Sequence, residues 1–297
     1  MNDTALPATR AAASIAARLA YLHETVLRPF AYAYEPPDGG DWENYGQDWR
    51  ETWITDARCF PKPTRIDVEG FELWSAPSDV RDFSDADAIR DVYYKEAAEL
   101  ACAATRGTRA YVFDHLVRRR EEGRPQLGFG RRRGQGMHVG ANGQVHNDYT
   151  EASGLNRLST VIPDARQAQA AGGFSIVNIW RPVVNPVFDT PLALCDARTV
   201  SARDLVAADV HYPTRTGEIY LLRHSPRHRW CYFHAMEPHE VLIFKQYDSR
   251  LSGVARFVPH CAFDHPYPPR NAPARQSIEV RCLVVHEVQS DTLPADD

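Results

Sequence analysis

The chain has 297 residues, of which 43% are hydrophobic and 25% are charged, and its formal net charge at pH 7 is −5. These fractions are those of an ordinary globular protein with a sizeable core, so we expect disorder only near the ends. The negative net charge offers no overall attraction to nucleic acid. Two local basic clusters, residues 118–120 and 131–133, are expected to be solvated strand ends.

Targeting signals and disulfides are not expected either. The start, MNDTALPATR, has no basic leader, and Arg10 and Arg18 interrupt the Ala-rich stretch, so a signal peptide is not predicted. No uninterrupted apolar run reaches the length of a membrane span. The six cysteines are scattered without a Cys-x-x-Cys pair, which favours reduced, mostly buried thiols in a cytoplasmic protein.

The N-terminal third is predicted to be helical and irregular. Residues 11–26 have an Ala, Leu and Arg composition of high helix propensity, which Pro29 ends. Residues 32–63 are rich in Pro, Gly, Asp and Trp and predict a long ordered loop. Ser84 with Asp87 resembles a capping box, and apolar residues then recur at helical spacing as far as Gly107, which predicts a second helix.

Short β-like runs dominate after Gly107. The predicted strands cover residues 110–113, 137–139, 174–180, 217–222, 230–233, 240–247 and 277–286. The Asn142-Gly143 pair predicts a hairpin turn. Helical interruptions are expected at residues 156–171 and after Ser201, which Asp204 follows three residues later. Many strands after a helical front part predict a mainly β fold with added helices, either a barrel or a sandwich.

One domain over residues 1–297 accounts for this organisation. It consists of a helical and loop region to about residue 107, a β core over about residues 108–288, and a tail over residues 289–297. We find no internal repeat and no low-complexity linker in the sequence.

His146 and Asp148 carry the functional argument. Residues two apart on a strand lie on one face, so His-x-Asp places an imidazole and a carboxylate where they can share a metal ion. With a third histidine they would form the facial triad of non-haem iron oxygenases, which leaves three positions open for a co-substrate and dioxygen. The motif is common by chance, but its place after a hairpin turn fits a barrel mouth.

The third ligand is predicted to be His260. It is followed by Arg275-Gln276-Ser277, and a histidine followed by Arg-x-Ser resembles the closing strands of 2-oxoglutarate oxygenases. There the arginine forms a bidentate pair with the distal carboxylate of 2-oxoglutarate, and the serine hydroxyl adds a hydrogen bond. His228 is the main alternative, because its separation from His146 is closer to that in many such barrels.

Arg281 is a rival or second clamp for a carboxylate. In strand geometry it lies on the same face as Arg275, Ser277 and Glu279. Alternatively, Glu279 and Arg281 pair with neighbours across the sheet. The sequence leaves both interpretations open.

These residues and the segments around them resemble a known family over roughly the last two thirds of the chain. The matching segments are residues 112–115, 145–150, 178–182, 191–196, 228–232, 240–249, 260–263 and 275–281. As a set they are similar to the iron- and 2-oxoglutarate-dependent hydroxylases and desaturases of the cephamycin 7α-hydroxylase and fungal gibberellin-desaturase type.

The resemblance implies a double-stranded β-helix, of the jelly-roll or cupin-like kind, with an N-terminal helical region. It also implies Fe(II), 2-oxoglutarate, dioxygen, and hydroxylation or desaturation of a small secondary metabolite or amino-acid-derived molecule. The implied metal ligands and catalytic residues are His146, Asp148 and His260. The implied co-substrate residues are Arg275, Ser277 and Arg281. Candidates to line the substrate pocket, each of which could equally belong to the core or a sheet edge, are Trp180, Arg181, Tyr232 and Tyr247.

Two other functions keep part of this pattern. An iron oxidase that uses no 2-oxoglutarate would keep the triad, dispense with the Arg-x-Ser clamp and form no succinate. A cupin-like protein would bind a small molecule without taking up oxygen. A nucleic-acid-binding role rests only on the two arginine clusters.

Overall fold

The computed structural model describes residues 14–25, 27–121, 140–164 and 171–287. Its strands are β1 Ser14–Leu22, β2 Phe30–Tyr32, β3 Gln47–Asp56, β4 Phe71–Ser75, β5 Arg109–Arg119, β6 His146–Asn147, β7 Ala171–Pro182, β8 Leu192–Cys195, β9 Leu205–Tyr212, β10 Arg215–Leu222, β11 Trp230–Tyr232, β12 Glu240–Asp248, β13 His260–Ala262 and β14 Gln276–Glu287. The helices are α1 Ala86–Ala88, α2 Tyr94–Thr105 and α3 Glu151–Val161, and a π-helical turn, Ile89–Tyr93, joins the first two.

Two sheets face each other and form a jelly-roll sandwich. The larger has the strand order β1-β3-β11-β8-β13-β6-β10-β9-β2, and the smaller has the order β4-β12-β7-β14-β5. Trp180 and Phe244 of the smaller sheet pack in one interior cluster with Leu194 and Cys231 of the larger sheet. The predicted mainly β fold is confirmed by this architecture.

Helix α2 covers the outer face of the smaller sheet. Ala97 and Ala101, one helical turn apart, pack in the same cluster as Ile278 and Val280 of β14. Because successive strand residues point to opposite faces, the intervening Ser277, Glu279 and Arg281 point to the interior. This alternation aims one row of polar side chains from β14 at the space between the sheets.

The predicted N-terminal helix over residues 11–26 is wrong for the part that the structure describes. Strand β1 pairs with β3 along its whole length, and buried Ile15 and Ala17 alternate with the less buried Ser14, Ala16 and Arg18. The predicted loop over residues 32–63 contains β3, so the N-terminal region contributes four strands rather than mainly helix and loop. Pairing across the sheet has overridden the local helix propensity.

The predicted hairpin at Asn142-Gly143 is also absent among the described residues. The Asn142 carbonyl accepts a hydrogen bond from the amide of Ala262 at 2.7 Å, and the amide of Val145 donates to Ala20 at 2.8 Å. Strand β6 pairs with β10 and β13 instead. The predicted strand 137–139 and the basic cluster 131–133 lie outside the described residues.

The helix starts are displaced from the predicted ones. The N-cap of α1 is Asp85 rather than Ser84. Helix α3 begins at Glu151, five positions before the predicted start, because Thr150 and Ser153 form a capping box there. The Ser201–Asp204 capping box is confirmed, at the start of the short 3₁₀ helix Ala202–Asp204.

Among the helices in the described part of the chain, none combines the length and the hydropathy that a membrane crossing requires.

Candidate active site

The structure brings His146, Asp148 and His260 together between the two sheets. His146 and His260 are directly opposite each other in the antiparallel pair of β6 and β13, so their side chains lie on one face. Asp148 follows His146 by two residues. One possible ligand atom of each residue lies within 4.8 Å of the other two. Among the described residues, this is the one cluster of three His, Cys, Asp or Glu side chains that could hold a metal ion.

Hydrogen bonds determine which nitrogen each imidazole presents. Nδ1 of His146 lies 2.7 Å from the carbonyl oxygen of Gln144, and Nδ1 of His260 lies 3.2 Å from that of Val258. Since a carbonyl only accepts, both Nδ1 atoms carry a proton, which leaves Nε2 of each ring as the candidate ligand atom. Burial, and then the neighbouring His146, lower the pKa of His260 to about 3. This imidazole is therefore neutral at pH 7, the form that binds a metal.

Asp148 turns its two oxygens in different directions. Its Oδ2 accepts hydrogen bonds from Nδ2 of Asn178 at 2.9 Å and from Nε of Arg281 at 3.0 Å. Its Oδ1 lies 3.3 Å from Nε2 of His146. Burial alone would raise the pKa of Asp148, but Arg281 and the two histidines hold it well below its usual range. The carboxylate is thus ionised, with Oδ1 directed at the imidazole.

Two buried amides hold the segments that carry these side chains. Oε1 of Gln246 accepts the amide hydrogen of Asp148 at 2.8 Å, and its Nε2 donates to the Val258 carbonyl at 3.2 Å. Oδ1 of Asn147 accepts the amide hydrogen of Val258 at 3.0 Å. The loop before His260 is therefore tied to the segment that carries Asp148.

Sequence reasoning did not assign roles to Asn178 and Gln246. The sequence feature that could have identified them is that each is a polar residue within an apolar strand. Both side chains are fully buried in the structure. A buried polar side chain requires a partner, so such a position indicates either a structural bond or a site.

Arg275 lies in the interior, apart from the imidazoles. Its guanidinium carbon is 5.0 Å from the centroid of the Trp180 ring. Nε donates to the Ser277 hydroxyl at 3.0 Å and Nη1 donates to the Thr190 carbonyl at 3.1 Å. Burial, and then the nearby Arg118, lower the pKa of Arg275 to about 9. A buried guanidinium beside another cation favours an anionic ligand.

An orphaned donor lies beside that guanidinium. Nε1 of Trp180 is buried and has no hydrogen-bond partner in the described structure. An unpaired buried donor next to an oriented guanidinium fits a site that receives a carboxylate.

Arg281 lies on the predicted face of β14, but carboxylates of the protein engage its donors. Besides the bond to Asp148, Nη1 donates to Asp114 at 2.8 Å and Nη2 donates to Glu279 at 2.6 Å. This set of bonds makes it a partner of Asp148, and its role as a carboxylate clamp stays a prediction.

A cavity of about 480 Å³ opens beside the three side chains. His146, Asp148 and Arg281 form part of its wall, and apolar surface comes from Leu116 and Ile219. This volume is within the range of small-molecule sites.

The four predicted substrate residues are not part of that wall. Trp180 is interior, beside Arg275, whereas the next residue, Arg181, points towards α2 and donates from Nε to the Tyr93 hydroxyl at 2.8 Å. Tyr232 lies in the cluster on the outer face of the larger sheet. Tyr247 donates its hydroxyl hydrogen to Glu151 at 3.0 Å. Alternation along a strand separates these neighbours, and a motif alone does not reveal which face is interior.

His228 is outside the cluster as well. Its Nδ1 lies 3.3 Å from the Tyr21 hydroxyl and its Nε2 lies 3.3 Å from Oδ2 of Asp204. These bonds place the imidazole on the outer face of the larger sheet, with Tyr21 and Trp230.

Comparison with known proteins agrees with this geometry. The family described as "YDMC: Oxidoreductase/YMDC permease-like domain" matches residues 19–285. "Hydroxylase/desaturase efuI" of Hormonema carpetanum is 31% identical over 80% of this chain and 83% of its own length. "Hydroxylase/desaturase CTB9" of Cercospora beticola is 30% identical over 88% of this chain and 86% of its own length.

A solved structure also matches. The "iron and alpha-ketoglutarate-dependent endoperoxidase NvfI" superposes with a TM-score of 0.78 at 25% identity, covering 93% of this chain and 99% of that one. The chain belongs to the oxidoreductase family that matches residues 19–285. Its enzymes include iron- and 2-oxoglutarate-dependent dioxygenases, alpha-ketoglutarate being the same compound as 2-oxoglutarate.

The expected enzyme class is therefore confirmed: the protein is a non-haem iron- and 2-oxoglutarate-dependent oxidoreductase. The expected jelly-roll fold is confirmed by the same structural match. Neither the oxidase that dispenses with 2-oxoglutarate nor the non-catalytic binding protein is favoured by these relatives.

Proposed function

We propose that this oxygenase hydroxylates or desaturates a small secondary metabolite, with His146, Asp148 and His260 as its metal ligands and catalytic residues. The observation that carries the proposal is the convergence of two buried imidazoles and one carboxylate beside a cavity whose wall includes His146 and Asp148. This donor set suits Fe(II), because it is the 2-His-1-carboxylate combination with room on the remaining side. The relatives named hydroxylase/desaturase support the choice of reactions.

We further propose that Arg275 and Ser277 hold the distal carboxylate of 2-oxoglutarate. The Ser277 hydroxyl and the Thr190 carbonyl orient the guanidinium, and Trp180 supplies a stacking surface and an unpaired donor. Ser277 and Arg281 are four residues apart on β14, or about 13 Å. Since Arg281 contacts the proposed ligand Asp148, the anion site and the metal site lie at opposite ends of one interior row.

Each group has a separate task in the proposed reaction. When bound, Fe(II) and 2-oxoglutarate supply the oxidising power, by activation of dioxygen coupled to decarboxylation of 2-oxoglutarate to succinate. Arg281 and Asn178 keep Oδ2 of Asp148 occupied, so that Oδ1 would be the oxygen available to a bound metal. The walls of the cavity position the substrate and limit access of water.

The chain is proposed to act as one domain in the cytoplasm. Strands from its first sixty residues are hydrogen-bonded into the larger sheet, which also carries His146 and His260. All six cysteines are free thiols, four of them buried, which fits a reducing compartment.

Succinate formation tests this proposal. With Fe(II), 2-oxoglutarate and oxygen, the unaltered protein should convert 2-oxoglutarate to succinate even without substrate, at a slow uncoupled rate. Arg275→Gln should raise the KM for 2-oxoglutarate about 10-fold or more, because it removes a charge-assisted pair. Arg109→Gln is the control, since Arg109 stacks on Tyr111 at 5.1 Å and is not part of the cavity wall. Iron-dependent oxygen uptake without succinate would contradict the use of 2-oxoglutarate.

A further inference from the structure

Arg157, on α3, is a cation of the cavity wall without a polar partner. Its guanidinium carbon lies 5.0 Å from the Phe113 ring centroid and 5.7 Å from that of Tyr149. Its Nε is buried and has no hydrogen-bond partner, and the described structure shows no ion pair for this residue. A buried unpaired guanidinium N–H is costly, so the position indicates an acceptor that arrives with a ligand.

The protein's own carboxylates in this cavity are already engaged. Asp114 and Asp148 are both paired with Arg281. Glu218 accepts hydrogen bonds from Arg28 and from the Thr150 hydroxyl. None of the three forms an ion pair with Arg157, so the stacked guanidinium is not held in place by a salt bridge.

A second arginine has the same arrangement at the exposed rim. The guanidinium carbon of Arg215, on β10, lies 4.0 Å from the centroid of the Tyr212 ring, and both residues line the cavity. Within the described residues it has no ion pair. Arginine stacked on an aromatic ring keeps its N–H edges available for an anion in the plane of the guanidinium.

We propose that Arg157 binds a carboxylate of the substrate, with Arg215 as a weaker second contact, so that the enzyme acts on small carboxylic acids. This inference rests on the proposed function, since it names the substrate class for the same cavity. The apolar surfaces of Leu116, Ile219 and Tyr149 suit the carbon skeleton of such an acid. The proposed site for the distal carboxylate of the co-substrate lies outside this wall, because Arg275 is not part of it.

Matched acids and amides provide the test. The probes are 3-phenylpropionate, 4-phenylbutyrate and indole-3-propionate, each beside its primary amide. Dissociation constants are measured by ligand-observed NMR on the unaltered protein, both without metal and with Fe(II) and 2-oxoglutarate under anaerobic conditions. At least one acid should bind about 10-fold more tightly than its amide, as expected for one charge-assisted hydrogen bond.

Variants separate the roles of the arginines. Arg157→Gln should reduce the preference for acid to less than about 2-fold, Arg157→Lys should keep part of it, and Arg109→Gln should leave it unchanged. Arg215→Gln should cause a smaller loss. A thermal unfolding curve establishes that each variant is folded.

Three results would overturn the inference: no acid is preferred by the unaltered protein, the preference survives Arg157→Gln, or Arg157→Gln weakens 2-oxoglutarate binding instead. Because the acids are also measured without metal, a failure of iron or 2-oxoglutarate to bind contradicts the proposed function and leaves the acid measurement to decide this inference.

Discussion

Asp148 owes its orientation to two donors that bind the same oxygen, and one of them can be removed without changing a proposed ligand. Arg281→Gln deletes the bond at 3.0 Å from Nε to Oδ2 and a neighbouring positive charge. Partners of this kind typically contribute 10–100-fold to metal affinity. We expect Fe(II) to bind roughly 10-fold or more weakly in an anaerobic titration, with little change in 2-oxoglutarate affinity at saturating iron.

Arg106→Gln is the control for that measurement, because Arg106 is an exposed arginine paired with Asp67, and neither residue belongs to the cavity wall or to the three proposed ligands. The reverse pattern, intact iron binding with weakened 2-oxoglutarate binding, would show that Arg281 is a co-substrate clamp. That is the alternative that the sequence left open.

Individual residues of the candidate site were predictable where the side-chain type and the spacing in the sequence both indicate metal binding. His146 and Asp148 share a face because of strand periodicity, and the structure places them with His260 as the motifs predicted. The choice between His260 and His228 depends on which strands pair with β6, and pairing across more than a hundred residues leaves no local trace in the sequence. Arg157 was not predicted for the same reason, since only the tertiary fold places α3 at the cavity.

At the scale of elements, helix α3 depends on the absence of a side chain at one position. A Cβ atom at Gly154 would lie 2.6 Å from the Tyr247 ring. Gly to Ala normally stabilises a helix by roughly 0.5–1 kcal/mol. Here overpacking outweighs that gain, and we expect Gly154→Ala to lower the free energy of unfolding by about 1–2 kcal/mol in urea.

Gly46→Ala is the matched control, because its Cβ would lie 3.5 Å from the Cβ of His23, an ordinary contact. A Gly154→Ala variant as stable as the unaltered protein would show that α3 does not pack against Tyr247 as described.

Strand existence was predictable in the C-terminal part and not in the N-terminal part. Strands β7, β10, β12 and β14 are long, apolar and rich in β-branched residues, so local pattern and final structure agree. Strand β1, with the sequence SIAARLAYL, has strong helix formers, and its extended form comes from pairing with β3. Residues 32–63 are rich in turn residues, so their local sequence does not indicate the strand β3 that they contain. The exposed side chains of that strand include Trp49 and Trp53, which do not follow a simple apolar-inside pattern.

For the molecule as a whole, a buried ionic cluster links β12 to the loop that contains Asp67. Nζ of Lys245 lies 2.6 Å from Asp67 and 2.8 Å from Asp248, and Lys245 and Asp248 have no exposed surface. Burial alone would raise the pKa of both aspartates, but Lys245 and Arg250 hold the pKa of each below its usual value.

This cluster predicts a loss of stability in acid. The lowered pKa values mean that unfolded Asp67 and Asp248 bind protons more readily than the folded ones, so stabilisation is complete above about pH 5 and falls as the pH drops through 4 and below. Lys245→Met leaves the buried Asp248 and the partly buried Asp67 without this partner and should cost roughly 3–5 kcal/mol at pH 7. Its free energy of unfolding should also fall less steeply between about pH 5 and 3. Urea unfolding at several pH values measures both effects, and identical slopes in the two proteins would contradict the assignment.

The most direct test of the central claim is the visible charge-transfer band that forms when Fe(II) and 2-oxoglutarate are added anaerobically to the metal-free protein. The proteins compared are the unaltered chain, His146→Ala, His260→Ala and His228→Ala. We expect the band in the unaltered protein and in His228→Ala, and its loss in the other two variants. Loss of the band in His228→Ala with its retention in His260→Ala would contradict the proposed ligand set, and absence of the band from the unaltered protein would contradict the proposed metal and co-substrate site.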